Sequence, residues 1–121
     1  MKRRHRDLPV WQAAMDLVSA VYELTSGFPS EERFGLTAQM RRAAVSIPSN
    51  IAEGAARSGT RELLNFLAIA AASVSELDTQ LEIARRLGYV TAEGGLAEQL
   101  DHLGEQLIRV RAQLSRRLKR D

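Results

Sequence analysis

Apolar residues recur along this chain at intervals of three and four, the spacing of helices that bury one face. Val10, Ala14, Leu17, Val21, Leu24 and Phe28 form one seam, and Trp11, Met15, Val18 and Tyr22 form a second beside it. Gln12, Asp16, Ser19 and Glu23 take the polar side. The pattern predicts a first helix from Pro9, a residue favoured at the first helical position, to about Thr25. Gly27, Pro29 and Ser30 end it. Two adjacent seams make an apolar face wider than one neighbouring helix covers.

A second helix is predicted over Leu36 to Arg57, with Met40, Ala44, Ile47 and Ile51 on its apolar face. Arg42, Ser46, Asn50, Glu53 and Arg57 form a polar stripe alongside. Pro48 lacks a backbone donor and crowds the carbonyl four residues back, so a kink is expected near Ala44. The same run could be read as a helix-turn-helix, with Ser46 to Ser49 as the turn and residues 49–57 as recognition helix. The apolar phase continues through Ile47 to Ile51 without a slip, which favours one helix.

Thr60 is the expected N-cap of a third helix, Glu62 lies in its first turn, and Gly88 is placed just past its end. Its seam runs Leu63, Leu67, Ala70, Val74, Leu77, Leu81 and Ala84. Thr91 is the expected cap of a fourth helix, with Glu93, Gly94 and Gly95 in its first turn. Leu96, Leu100, Leu103, Leu107, Val110, Leu114 and Leu118 follow at heptad-like spacing. Four helices with short connections predict one all-α domain over residues 1–121, an antiparallel up-down-up-down four-helix bundle. The third helix is apolar on most sides from Leu63 to Ala72, so self-association is expected. Trp11, Leu64, Phe66 and Ile69 are the candidate interface residues.

Composition narrows the class. The 121 residues contain no cysteine, which excludes disulfides and thiolate metal sites. The longest nearly apolar run, Leu63 to Val74, falls short of the roughly 20 residues a membrane helix needs. No signal-type apolar region follows the basic N-terminal MKRRHRD, so a soluble cytoplasmic protein without membrane attachment is expected.

The net charge is only +2, but its distribution is uneven. In an antiparallel bundle, one pole gathers the start of helix 1, the end of helix 2, the start of helix 3 and the end of helix 4. That pole receives Lys2, Arg3, Arg4, Arg6, Arg57, Arg61, Arg109, Arg111, Arg116, Arg117, Lys119 and Arg120, opposed by Asp7, Glu53, Glu62 and Asp121. The basic tails cover about residues 1–6 and 116–121. A one-sided cluster of this kind attracts polyanions, and arginine suits bidentate phosphate contacts. Aromatic residues are scarce and sit mostly on core seams, so backbone or shape recognition is expected rather than a stacking platform.

No catalytic constellation is legible, and no enzyme activity, cofactor or metal is expected. Glu98 and His102 are i, i+4 neighbours near Asp101 and Glu105. A di-iron bundle needs two Glu-x-x-His motifs, and His5 is the only other histidine. The polar stripe reads as a register-fixing hydrogen-bond network of Arg41, Arg42, Ser46, Asn50, Glu53, Glu76 and Glu82. Arg41 or Arg42 is expected to pair with Glu76, Asp78 or Glu82.

Four phrases carry a family resemblance: DLPVWQAAMDLV at 7–18, FGLTAQMRRAAVSIPSNIAEGAAR at 34–57, FLAIAAASVSELDTQLEIARRLGY at 66–89, and the leucine-spaced last helix. Over about residues 6–115 the chain resembles the four-helix-bundle proteins encoded in intervening sequences of bacterial large-subunit ribosomal RNA genes. The resemblance implies an antiparallel bundle assembled as a ring-like homopentamer. It also implies a distant likeness to the basic, pentameric accessory protein of diversity-generating retroelements, which binds nucleic acid and its reverse transcriptase. The expectation is therefore a non-enzymatic homo-oligomer that binds RNA or other nucleic acid through a basic pole. The alternative is a scaffold whose oligomer surface recruits a protein partner without nucleic acid.

Overall fold

The computed structural model describes residues 4–91 and 94–120, and these are helical with no strand among them. A 3-10 turn at Arg4–Asp7 leads into α1 (Pro9–Thr25). A second 3-10 turn at Ser30–Glu32 precedes α2 (Leu36–Ala56), followed by α3 (Thr60–Arg86) and α4 (Leu96–Arg120). Pro9 opens α1 as expected. Helix α2 runs unbroken through the buried Pro48, so the helix-turn-helix alternative is not formed. At that point the Asn50 side chain donates to the Ser46 carbonyl, 2.8 Å away.

Two expected caps are corrected. Thr60 is the first residue of α3, and Gly59 occupies the cap position. The fourth helix starts at Leu96 and not just after Thr91. Gly94 and Gly95 have φ of +58° and +85°, left-handed values that a right-handed helix cannot absorb. They form the turn before α4 instead of its first turn. Glu93, expected in that first turn, lies outside the described residues. At the other end of this connection Gly88 behaves as expected. With φ of +79° it lets its own N–H reach the Arg85 carbonyl and the Tyr89 N–H reach that of Ala84.

Each helix packs against two others: α1 against α2 and α4, and α3 against α2 and α4, with no diagonal contact among the described residues. This is the square cross-section of an antiparallel bundle. Leu17 and Val21 of α1, Met40, Ile47 and Ile51 of α2, Leu67, Leu77 and Leu81 of α3, and Leu96, Leu103 and Leu107 of α4 are fully buried in one core. The α2–α3 interface is the most extensive. Small residues make it close: a Cβ built on Gly54 would stand 2.9 Å from both Leu63 Cδ1 and Phe66 Cβ.

The pole opposite the basic tails is clamped by one carboxylate. Glu32 Oε1 accepts from the Leu36 N–H at the start of α2 (3.1 Å), and its Oε2 accepts from the Tyr89 hydroxyl (2.8 Å). The Tyr89 ring leans on Phe28 at 5.5 Å. The Leu36 N–H first, and the Tyr89 hydroxyl second, hold the Glu32 carboxyl below its usual range. The same bond raises the Tyr89 phenol above its ordinary value. Ionised Glu32 is thus favoured in the fold, so its contribution is complete above the free carboxylate pKa of about 4.3 and fades as pH falls through the lowered value. The phenol's contribution holds below about 10 and fades as pH rises past it. Tyr89→Phe keeps the ring contact and should lower the melting temperature at neutral pH, by a deficit that shrinks as pH falls through the lowered Glu32 value. No drop at either pH would show that the ring, and not the bond, matters.

Among the described residues no helix is long and apolar enough to cross a membrane.

Candidate nucleic-acid interface

The antiparallel topology brings the expected cations to one pole. Arg4 and Arg6 lie in the 3-10 turn that packs against α1 and α2. Arg57 follows the last residue of α2, Arg61 lies in the first turn of α3, and Arg109, Arg111, Arg116, Arg117, Lys119 and Arg120 come from the second half of α4. Lys2 and Arg3, assigned to the same pole, lie outside the described residues, as does Asp121. All the described cations are exposed except Arg111, which is half-buried. None of them forms an ion pair among the described residues; the ion pairs present join Glu82 to Arg85 and Arg86 on α3. No carboxylate among the described residues takes up their donors, which leaves them available to phosphate.

Local contacts position several of them. The Arg6 carbonyl accepts from Gln12 Nε2 at 2.9 Å, which pins the turn to α1. The Arg6 guanidinium lies 5.9 Å over the Trp11 ring, and His5 meets the same ring edge-on at 5.1 Å. Arg57 lies 5.1 Å over Phe66, which carries the end of α2 onto α3. The rings at this pole are therefore covered by the chain's own side chains, and no bare aromatic platform is presented.

Within the pole lies an apolar notch that sequence reasoning missed. It has a volume of about 370 Å³ and is walled by Leu8 and Val10 of the α1 start, Leu63 and Leu67 of α3, and Val110 and Leu114 of α4. Arg109, Gln106 and Gln113 also line it. Gln106 Oε1 is buried with no hydrogen-bond partner among the described residues. The heptad pattern placed Val110 and Leu114 in the core. It could not show that the start of α1, α3 and α4 leave a gap between them here.

The polar stripe of α2 is divided. Ser46 Oγ meets Ser73 Oγ of α3 at 2.8 Å, and Asn50 Nδ2 donates to Ser46 Oγ at 3.0 Å. Arg41 does not pair with α3. It donates to Thr25 Oγ1 at 2.9 Å and to the Tyr22 carbonyl at 3.4 Å, and lies 4.4 Å over the Tyr22 ring. Glu82 binds the arginines of its own helix, and Arg42 has no ion pair among the described residues. Arg86 and then Arg85 hold the Glu82 carboxyl below its usual range. Arg42 and Glu76 instead border an open groove with Gln39, Ser46 and Gln80. Glu53 is exposed and stays outside the serine–asparagine network.

A family model described as 23S rRNA-intervening sequence protein matches residues 6–116. The chain belongs to this family. The matched span takes in all four helices apart from the last residues of α4, so the basic tail from Arg117 onward lies beyond it. Comparison with curated proteins finds no match.

Of the candidate assembly residues, Trp11 and Phe66 lie at the charged pole beneath Arg6 and Arg57. Trp11, Leu64 and Phe66 are half-buried within the subunit, while Ile69 is 48% exposed. Met15, Tyr22 and Val45 are also more than 40% exposed. Arg41 ties α2 to the Tyr22 end of α1, and Val45 follows one helical turn on. Trp11 and Val18 of the same α1 seam are half-buried against the core, so Met15, Tyr22 and Val45 are the exposed apolar side chains here. Among the described residues no group of three or more His, Asp or Glu is gathered for a metal, and His102 stands exposed without an ion pair.

Proposed function

We propose that this protein is a non-enzymatic homo-oligomer, a ring-like pentamer, that binds RNA through its arginine-rich pole. The observation that carries the reading is the gathering of exposed guanidinium groups, without ion pairs among the described residues, from the turn before α1, the residue after α2, the start of α3 and the second half of α4 at one end of the bundle. Charge so concentrated draws polyanions over several ångströms, and copies set side by side reinforce the field. The family's description, which refers to an intervening sequence of 23S rRNA, agrees with an RNA partner. The exposed apolar side chains Met15, Tyr22, Val45 and Ile69 support self-association, since a further copy would cover them.

The test is RNA binding by the purified protein across a salt series, with its mass in solution measured on the same sample. A pentamer whose binding constant falls linearly with salt on a log–log scale is expected. A monomer would remove the assembly from the proposal. Absence of binding at low salt would remove the RNA. Capture of a protein that survives nuclease and high salt would favour the scaffold reading in its place.

A further inference from the structure

We infer that the apolar notch in the arginine pole receives one unstacked base, so that the RNA this pole takes is single-stranded or bulged and not a continuous duplex. The inference rests on the RNA-binding reading and concerns the same surface. Phosphate contacts explain the exposed arginines but leave the notch without a purpose, since a sugar–phosphate backbone gains nothing from aliphatic walls. The occupant has to satisfy three features together. Leu8, Leu63 and Val110 offer half-buried aliphatic surface above the buried Val10, Leu67 and Leu114. The amides of Gln106 and Gln113 are the only neutral polar groups in that lining, and Gln106 Oε1 is buried without a partner among the described residues. Arg109 stands on the same lining and is exposed.

A nucleotide has the matching parts. Its base presents two apolar faces and an edge of donors and acceptors, and a phosphate is tethered within reach of a cation. A glutamine amide can donate and accept at once, the pattern that adenine meets with its amino group and N7. At about 370 Å³ the notch sits at the small end of ligand cavities, suited to one ring system. Bases inside an A-form duplex are stacked and show only their edges, whereas loops, bulges and single strands can splay one out. Aliphatic walls therefore supply here what aromatic rings supply elsewhere, which fits a pole whose own rings are already covered.

The experiment compares four probes on the intact protein at one salt concentration: a short oligo(A) strand, an abasic strand of equal length, a duplex of equal phosphate number, and adenosine monophosphate. Oligo(A) should bind about tenfold more tightly than the abasic strand, in the range set by one sequestered base. Val110→Trp, which fills the notch, should bring oligo(A) down to the abasic level while leaving abasic binding and its salt slope unchanged. Helix content and mass of the variant confirm that it is folded. Gln106→Leu, which keeps the volume, should lose part of the preference. Equal binding of oligo(A) and the abasic strand would overturn the inference and leave the phosphate reading intact. The mononucleotide binding as tightly as the strand would overturn it in favour of a free-nucleotide site. Failure of every strand to bind would defeat both readings together.

Discussion

Replacing Gly54 with valine is expected to cost the bundle about 3 kcal/mol, a fall of about 10 °C in melting temperature for a domain of this size. Gly54 lies where α2 and α3 approach closely, and even a Cβ there would stand 2.9 Å from Leu63 Cδ1 and Phe66 Cβ. The Leu63 methyl can swing aside. The Phe66 Cβ is fixed to the α3 backbone, so the helices must separate. Valine adds a branched group that is stiff in a helix, which leaves no rotamer to escape the contact. Alanine is the milder case, because its better helix propensity returns about 1 kcal/mol against the same clash. Its net effect should be a loss of about 1 kcal/mol. Urea unfolding of both variants decides the matter. If the valine variant matches the unsubstituted protein, the α2–α3 approach is not limited at this residue.

The largest functional effect is expected from the end of α4. Changing Arg116, Arg117, Lys119 and Arg120 together to glutamine should reduce the slope of log binding constant against log salt by about 3, given about 0.7 per lost contact on a single strand. Affinity at low salt should fall by about a hundredfold. The bundle itself should survive. The last buried residue of α4 is Leu114, and all four cations are exposed. The change also removes favourable charge from a helix C-terminus, at a cost of about 1 kcal/mol or less. Weakened binding with an unchanged salt slope would mean that the tail acts without touching phosphate, and the pole would have to be assigned to its other arginines.

Much of this molecule is written in its spacing. The seams of α1, α2 and α3 give their extents to within a residue or two, because each is bounded by a glycine, a proline or a change of apolar phase. The start of α4 is less legible. Thr91 is a good cap by type, but the two glycines that follow adopt left-handed conformations, and the helix waits for Leu96. Partners distant in sequence are less legible still. Nothing in the local pattern of Arg41 points to Thr25 and Tyr22 instead of the acids of α3, since i, i+4 reasoning speaks only within one helix. The Tyr89–Glu32 bond and the notch beside Gln106 are likewise products of three-dimensional closure. The arginine pole was legible because it needs only chain direction. The residues that would give it selectivity were not.

An arginine pole is also a permanent one. Guanidinium stays charged at every pH at which the bundle is folded, and it is not a substrate for lysine acetylation. The whole chain has two lysines, Lys2 and Lys119, so modifying both would leave the field nearly intact. Neither protons nor acetyl groups can switch this surface off. Binding of RNA there, as proposed, would be governed from outside, by ionic strength and by competing polyanions.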